Sequence, residues 1–412
     1  MVNTTEVVSP DEVKCFSCTG WFTKGTGSYC KKCDEWKCAH CNSCMCSLKH
    51  SETKQAIHAL FDTYQRFFKT RNIKNITGDK PLLYLSEDDV RRCGGDKTDF
   101  YMDTIMDVFK AHFNKEFSQP KGTYLRIGDY DSERTTGRII SLPGYIGGTF
   151  NSWGMKWVAS KPSNLVKCNL PRANALVVLN DLETGKPIAV MDGTLISMMR
   201  TAAVTGIAAK KLARQDSKLI GVCGAGVISK QQIITLLDIF KHIQEVKIYD
   251  LVKSKSIALK MFLEQEYCVN VTVCDSARTA IIDSDIIVTG TTVSAKDAYI
   301  EASWIKPGSF LANVSLQDPK EEVILNSDKI VVDDWEHANA ENRPLNRLYE
   351  KKMISKDDIH AELSEILFGN KSGRENKDEK IFFNPMGLGI EDIACATEIY
   401  KIAVAKKIGR AL

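Results

Sequence analysis

The chain has 412 residues, 43% hydrophobic and 26% charged, which is length for two or three domains and ample material for a core. Its 55 basic and 52 acidic side chains leave a formal charge of +3, which argues against a general polyanion binder. No apolar run approaches the ~18–20 residues of a membrane span, and Met1–Asp11 has no positive start leading into an apolar stretch, so a cytoplasmic protein is expected.

Residues 1–50 hold eight of the 14 cysteines, spaced Cys15-x2-Cys18, Cys30-x2-Cys33 and Cys38-x2-Cys41-x2-Cys44-x-Cys46. In a reducing compartment such a cluster reads as metal binding. Paired knuckles suit tetrahedral thiolate zinc, and this stretch has too few aliphatic residues to fold without a metal. One or two structural zinc ions are expected, with sequential and interleaved pairings both open. An iron–sulfur cluster is the rival, but the spacing after Cys44 is wrong for a ferredoxin run. The module's lysines and Trp21, Phe22 and Trp36 would suit a protein partner. The plainer reading is a stabilising appendage, and nucleic-acid binding is the weakest.

Residues 51–200 mix helical spacing (Ala56–Thr70, Met102–Phe117) with strand patterns (Tyr124–Leu142, Met155–Ser160, Ala175–Asp181). The helical tail from Leu388 is expected to pack back on them, so 51–200 with 386–412 forms one α+β domain. Residues 201–385 alternate helix and strand as a doubly wound, Rossmann-like α/β domain does. Gly369–Lys380 is nearly all polar and is expected to be a solvated loop.

The apolar run Lys218–Val222 leads into Cys223-Gly224-Ala225-Gly226-Val227-Ile228-Ser229, a helical stretch follows, and the next strand ends at Asp250. This is the opening βαβ of a dinucleotide fold. Glycines let the backbone approach a pyrophosphate, and the free N–H groups of the helix start, at Val227 and Ile228, favour an anion. A carboxylate at Asp250 suits a ribose 2′-hydroxyl and repels a 2′-phosphate, so NAD is expected over NADP. Lys253 and Lys255 keep NADP open, and Ser229 departs from the usual Gly or Ala. Ile286–Gly290 and Phe310–Val314 read as further strands, placing Thr289 and Ser315 at the ligand-binding edge. Cys223 reads as a small apolar filler rather than a reactive thiol.

The stretches RIISLPGYIGGTFNSWGMKWVAS (138–160), RANALVVLNDLETGKPIAVMDGTLISMMRTAAVT (172–205), GVCGAG, NVSLQDP and IVVDDWEH together resemble the ornithine cyclodeaminase and mu-crystallin family. The resemblance covers roughly 80–412 and leaves out the cysteine module. It is greatest to the branch of dehydrogenases that supply 2,3-diaminopropionate. It implies a homodimer formed through the 51–200 domain, which also binds an amino-acid substrate. NAD would take a hydride from the substrate's α-carbon, and water would open the resulting imine. In that branch N-(2-amino-2-carboxyethyl)-L-glutamate gives 2,3-diaminopropionate and 2-oxoglutarate. By the same resemblance Arg138, Lys156 and Arg200 meet substrate carboxylates, and Asp318, with Lys156, carries the catalytic role. His337 and Trp335 would line the pocket. Thr201, Asn180 and the Gly387 and Gly389 loop would lie near the cofactor. A redox-neutral cyclodeaminase, an imine reductase and a ligand-binding protein without turnover are the other outcomes the family allows.

Overall fold

The computed structural model describes residues 12–15, 17, 18, 20–32, 35–44, 58, 59, 62, 81–128, 136–168 and 170–412. The chain divides into two compact units, 1–81 and 82–412, so the division falls later than the composition change near residue 50. In the first unit β1 (Glu12–Lys14) pairs with β2 (Trp21–Thr23), and β3 (Tyr29–Cys30) with β4 (Glu35–Trp36), both antiparallel. Of the helix expected over Ala56–Thr70, only His58, Ala59 and Asp62 are described, all helical.

The second unit carries two eight-stranded sheets. The first contains β5 (Leu83–Leu85), β6 (Phe117–Ser118), β7 (Thr123–Ile127), β8 (Gly137–Ile146), β9 (Ser152–Ser160), β10 (Ala173–Asn180) and β11 (Pro187–Asp192). The second contains β12 (Leu219–Cys223), β13 (Glu245–Tyr249), β14 (Asn270–Val273), β15 (Ile286–Thr289), β16 (Phe310–Ala312), β17 (Lys329–Val332), β18 (Ala361–Glu362) and β19 (Ile381–Asn384). A last strand, β20 (Arg410–Ala411), returns to pair with β5, giving the first sheet the order β20-β5-β11-β10-β9-β8-β6, with β7 also on β8.

Five helices matter for the site: α1 (Thr98–Phe113), α2 (Thr194–Leu212), α3 (Val227–Ile239), α4 (Lys253–Tyr267) and α5 (Gly389–Lys406). Helix α1 stops short of the predicted Phe117 because Lys115 turns into the left-handed region (φ 59°), freeing Phe117 to start β6. Pro143 sits inside β8 without breaking it. β7 pairs with 137–141 and β6 with Tyr145 and Ile146, so on that side Pro143 meets no partner strand.

The second sheet is parallel throughout, in the order β14-β13-β12-β15-β16-β19-β17-β18. The direction of winding reverses between β12 and β15, which is where ligands bind in open α/β sheets. Its strands β15, β16, β17 and β19 are buried at every position and read as nearly continuous apolar runs, whereas β13 and β14 toward the edge alternate. The segment 369–380 lacks regular secondary structure, but it is pinned rather than freely solvated. Arg374 donates to the carbonyls of Leu212, Glu379 and Ser309, and buried Lys329 bonds Gly373 O and Glu375. Among the described residues, no helix is long and apolar enough to cross a membrane.

Candidate active site and cysteine cluster

The turn after β12 is built for close approach. Gly224 has φ 97°, and a Cβ there would stand 2.5 Å from the carbonyl oxygen of Gly290. The Ala225 amide donates to Asp250 at 2.7 Å and the Val252 amide to the other carboxylate oxygen at 2.8 Å, so Asp250 fixes the glycine turn to the end of β13. Gly226 caps α3 without a side-chain bond and faces open space, leaving the first-turn N–H groups of Val227 and Ile228 for an anion. The departure at Ser229 is matched on the neighbouring strand: a Cβ at Gly290 would fall 2.0 Å from Ser229 Oγ. The pair exchanges size across the turn. Lys253 bonds Asp275 at 2.7 Å. Thr201 turns its hydroxyl to Ser197 O (2.7 Å), and Asn180 spends its amide on Gly185 O (2.9 Å) in the β10–β11 turn.

Thr289 and Ser315 meet at the carboxyl edge, where the Ser315 amide donates to Thr289 Oγ1 at 3.3 Å. Thr289 in turn donates to Asn313, which donates to Asn384. Beside them Asp318 is fully buried. It accepts from Thr291 Oγ1 (2.6 Å), Tyr299 Oη (2.9 Å) and the Ser315 hydroxyl. Burial raises its pKa, and the three hydroxyls oppose the rise. Cys223 lies in the same buried layer; burial pushes its thiol up to about 12, which makes it neutral packing.

Lys156 and Arg200 come together at the start of α5. Lys156 Nζ donates to Ser197 Oγ (2.8 Å) and Asp392 (3.1 Å). Arg200 donates to Glu391 at 2.6 Å, and its Nε lies 3.3 Å from Asp392. Gly387 has φ 78°, and a Cβ there would reach 2.6 Å from the Arg200 guanidinium. Burial, which Asp392 offsets, brings the Lys156 ammonium down to about 8, and burial pushes Glu391 up to about 7. Arg200 Nε and Asp392 Oδ1 make ion-pair contacts only, to Asp392 Oδ2 at 3.3 Å and Lys156 Nζ at 3.1 Å, and Glu391 Oε1 is buried without a hydrogen-bond partner. The kcat/KM profile of the free enzyme should therefore fall above about pH 8, as Lys156 loses its charge. Lys156→Arg should remove that limb, and a limb unchanged in the variant would assign it elsewhere.

Asp333 accepts from the Met386 and Gly387 amides (2.7 and 2.8 Å) and so holds the Gly387 loop against Arg200. Asp334 lies between His112 and His337 (3.1 and 2.9 Å), which hold its carboxyl well below the usual range despite burial. His337 also meets Gln119 at 2.9 Å, and Gln119 Oε1 accepts from the Ile390 amide, so both ring nitrogens are engaged. Trp335 is 5% exposed and packs edge-on against Tyr349, which makes it core rather than pocket lining. Arg138 opens β8 with an exposed side chain, directly opposite Arg126.

Sequence reasoning missed Glu391, Asp392, Gln119, Thr291 and Tyr299. Only the first two left a signal, as adjacent acids at the head of the apolar run GIEDIACA.

In the first unit Cys15, Cys18, Cys38 and Cys41 bring four sulfurs within 4.8 Å of one another, none of them in a disulfide. The first and third knuckles thus meet. Cys30 and Cys44 are described but stand outside this group, and Cys33 and Cys46 lie outside the described residues.

The parallel sheet, its glycine turn and the charged site at its carboxyl edge define a Rossmann-type α/β protein with an added mixed sheet. The chain belongs to the ornithine cyclodeaminase/mu-crystallin family, which it matches over residues 89–407. It is 39% identical to the N-((2S)-2-amino-2-carboxyethyl)-L-glutamate dehydrogenase of Staphylococcus aureus, over 81% of this chain and 98% of that one. Among solved structures it is similar to the Thermococcus litoralis Delta(1)-pyrroline-2-carboxylate reductase in complex with NADH and L-proline. That likeness has a TM-score of 0.73 at 30% identity, over 80% of this chain and all of the other. An archaeal alanine dehydrogenase dimer with bound NAD matches at TM-score 0.70 and 31% identity, over 80% and 98% of the two chains.

Proposed function

We propose that this enzyme, an amino-acid oxidoreductase of the family, uses NAD to cleave N-(2-amino-2-carboxyethyl)-L-glutamate into 2,3-diaminopropionate and 2-oxoglutarate. The observation that carries the reading is Asp318, a buried carboxylate under three hydroxyls, set beside the Thr289–Ser315 edge of the nucleotide fold. The uncapped α3 start and the open space at Gly226 fit a dinucleotide pyrophosphate, and Asp250 fits its ribose. In this assignment Gly224, Ala225, Gly226, Val227, Ile228, Asp250, Thr201, Thr289, Ser315 and Gly387 serve the cofactor.

Bound NAD supplies the acceptor for the hydride that leaves the glutamate α-carbon. Lys156 and Arg200 hold a substrate carboxylate near that carbon, with Glu391 and Asp392 behind them fixing their positions. Asp318 takes the proton from the substrate ammonium and releases it to solvent, then takes one from the water that attacks the protonated imine, and returns that proton to the nitrogen of the resulting carbinolamine, each passing through a hydroxyl that covers it. The C–N bond then breaks with the electron pair leaving on the amine, so that substrate, NAD and water give 2,3-diaminopropionate, 2-oxoglutarate, NADH and one proton. His337 is a positioning residue, held by Asp334 and Gln119. The first sheet with α5, within 51–200 and 386–412, serves substrate and dimerisation, and 201–385 serves NAD. Exposed Leu125, Trp153 and Leu176 on the first sheet support a homodimer, and a one-chain mass in sedimentation would overturn that part.

The test is NADH formation by the purified full chain. One NADH per 2-oxoglutarate formed is expected; ammonia release without NADH would replace the reading with a redox-neutral cyclodeaminase.

The proposal extends to a structural zinc ion at Cys15, Cys18, Cys38 and Cys41, in a cytoplasmic protein. A tetrahedron with Zn–S of about 2.3 Å puts its sulfurs roughly 3.8 Å apart. The Cys15–Cys41 and Cys18–Cys38 separations are 3.5 and 3.7 Å. Metal analysis should find at least one zinc per chain, and Cys15→Ser should lose one equivalent; a zinc-free purified chain with intact thiols would contradict this. Supporting the catalytic unit and recruiting a protein partner are the two roles this reading leaves the module.

A further inference from the structure

The first sheet gathers positive charge that the inner site does not use. Arg126 on β7 and Arg138 on β8 are directly opposed in antiparallel register, a placement that like charges disfavour. Arg172, at the bend before β10, and Arg343 also act on the Arg138 charge, so four guanidinium groups converge. Tyr124 ties them together: its hydroxyl accepts from Arg343 Nη2 at 2.9 Å, and the Arg126 guanidinium stands 5.5 Å over its ring. Arg200 and Arg214 each have carboxylate partners. Among the described residues, no carboxylate pairs with Arg138, Arg172 or Arg343. Arg172 is half-buried, and burial alone lowers its pKa.

The cluster lies on the substrate side of the molecule. Arg138 and Lys156 project from the same face of the sheet, because Arg138 is opposite Ser160, and Leu142 is opposite Lys156. Four residues of strand separate the two positions, about 13 Å of backbone, which the long side chains can narrow. Arg343 also acts on His337, which meets Gln119, whose amide oxygen holds Ile390 beside Glu391 and Asp392. The inner cations are already balanced by those two acids, whereas among the described residues Arg138, Arg172 and Arg343 have no carboxylate partner.

We propose that Arg138, Arg172 and Arg343, braced by Tyr124, form a subsite for a carboxylate remote from the reacting nitrogen, and select amino-acid substrates that carry more than one acidic arm. The inference rests on the proposed reaction for where the reacting end lies. Guanidinium groups take carboxylates in bidentate fashion, and a monocarboxylate would leave the cluster without a counter-charge. The ligand is thus a polycarboxylate amino acid or the dicarboxylate released from it.

The test needs no turnover. Full-length protein loaded with NADH is titrated calorimetrically with 2-oxoglutarate and with 2-oxobutyrate, which lacks the remote carboxylate. The dicarboxylate should bind about 10–100-fold tighter, the worth of one or two charge-assisted hydrogen bonds. Arg172→Gln and Arg343→Gln should each shrink that preference while leaving 2-oxobutyrate binding within about twofold. Equal affinities in the unaltered protein would overturn the subsite, whatever the variants do. So would variants that weaken both ligands alike, since that marks a structural role. A preserved preference without NADH formation from N-(2-amino-2-carboxyethyl)-L-glutamate would uphold the subsite and reject the proposed reaction instead.

Discussion

Asp318→Asn is expected to slow NADH formation by about 10²–10⁴-fold, the usual contribution of a positioned general base. Cofactor affinity should change far less than turnover, because Asp318 reaches the cofactor edge through Ser315, which an asparagine can still bond, and among the described residues makes no bond to the glycine turn. Asparagine has nearly the same shape. Thr291 and Tyr299 can go on donating to its amide oxygen, and the Ser315 hydroxyl can turn to accept from its amide nitrogen, so the fold should absorb the change with little loss. What disappears is a group able to take a proton. The wild-type rate should rise with pH as the carboxylate ionises, over a range shifted upward because burial raises its pKa. That limb should vanish in the variant. A variant with the parent rate and an unchanged pH profile would remove Asp318 from the chemistry and leave it a turn residue before Pro319.

Arg200→Ala is expected to destabilise the second unit by about 3–5 kcal/mol, measured as a lower urea midpoint. The reason is less the lost attraction than what remains. Glu391 and Asp392 are fully buried, and without Arg200 only Lys156 faces them. The loss should depend on pH in a definite sense. The pKa of Glu391 is raised from 4.5 to about 7 in the folded chain, so its contribution is fully present below about 4.5 and is lost as pH rises through about 7. Removing the guanidinium raises that pKa further, so the variant should regain part of its deficit at pH 5.5 relative to pH 8. Adding Glu391→Gln should restore part of it at both. A deficit under about 1 kcal/mol, or one independent of pH, would show that the acids do not need this cation.

The nucleotide half was legible because buried parallel strands write themselves as short apolar runs. Glu245–Tyr249 falls where the spacing predicts it, and Asp250 follows at the turn. The charged site was half legible. Lys156, Arg200 and Asp318 stand in motifs, but Glu391 and Asp392 become their partners only through folding across 191 and 236 residues. Composition was half right at 369–380, an irregular segment with six of its twelve residues exposed. A polar run looks solvated until one sees that Arg374 finds backbone carbonyls to bond and Glu379 a buried lysine. Of the arginine cluster only Arg138 stood out, through the family resemblance; Arg126, Arg172 and Arg343 are unremarkable letters until β7, β8 and the bend before β10 bring them near it.

The place of α5 in the chain sets an order of events during synthesis. Lys156 and Arg200 leave the ribosome long before the two acids that neutralise them. At about 5–20 residues per second, the 191 residues between Arg200 and Glu391 take roughly 10–40 s to make. Through that interval the nascent first sheet lacks its β20 edge and its covering helix, and carries two cations that cannot be buried alone. The second unit therefore closes only once its final helix is free of the exit tunnel. A message truncated anywhere before Gly389 yields a chain whose Lys156 and Arg200 lack these two acids and have only water to neutralise them.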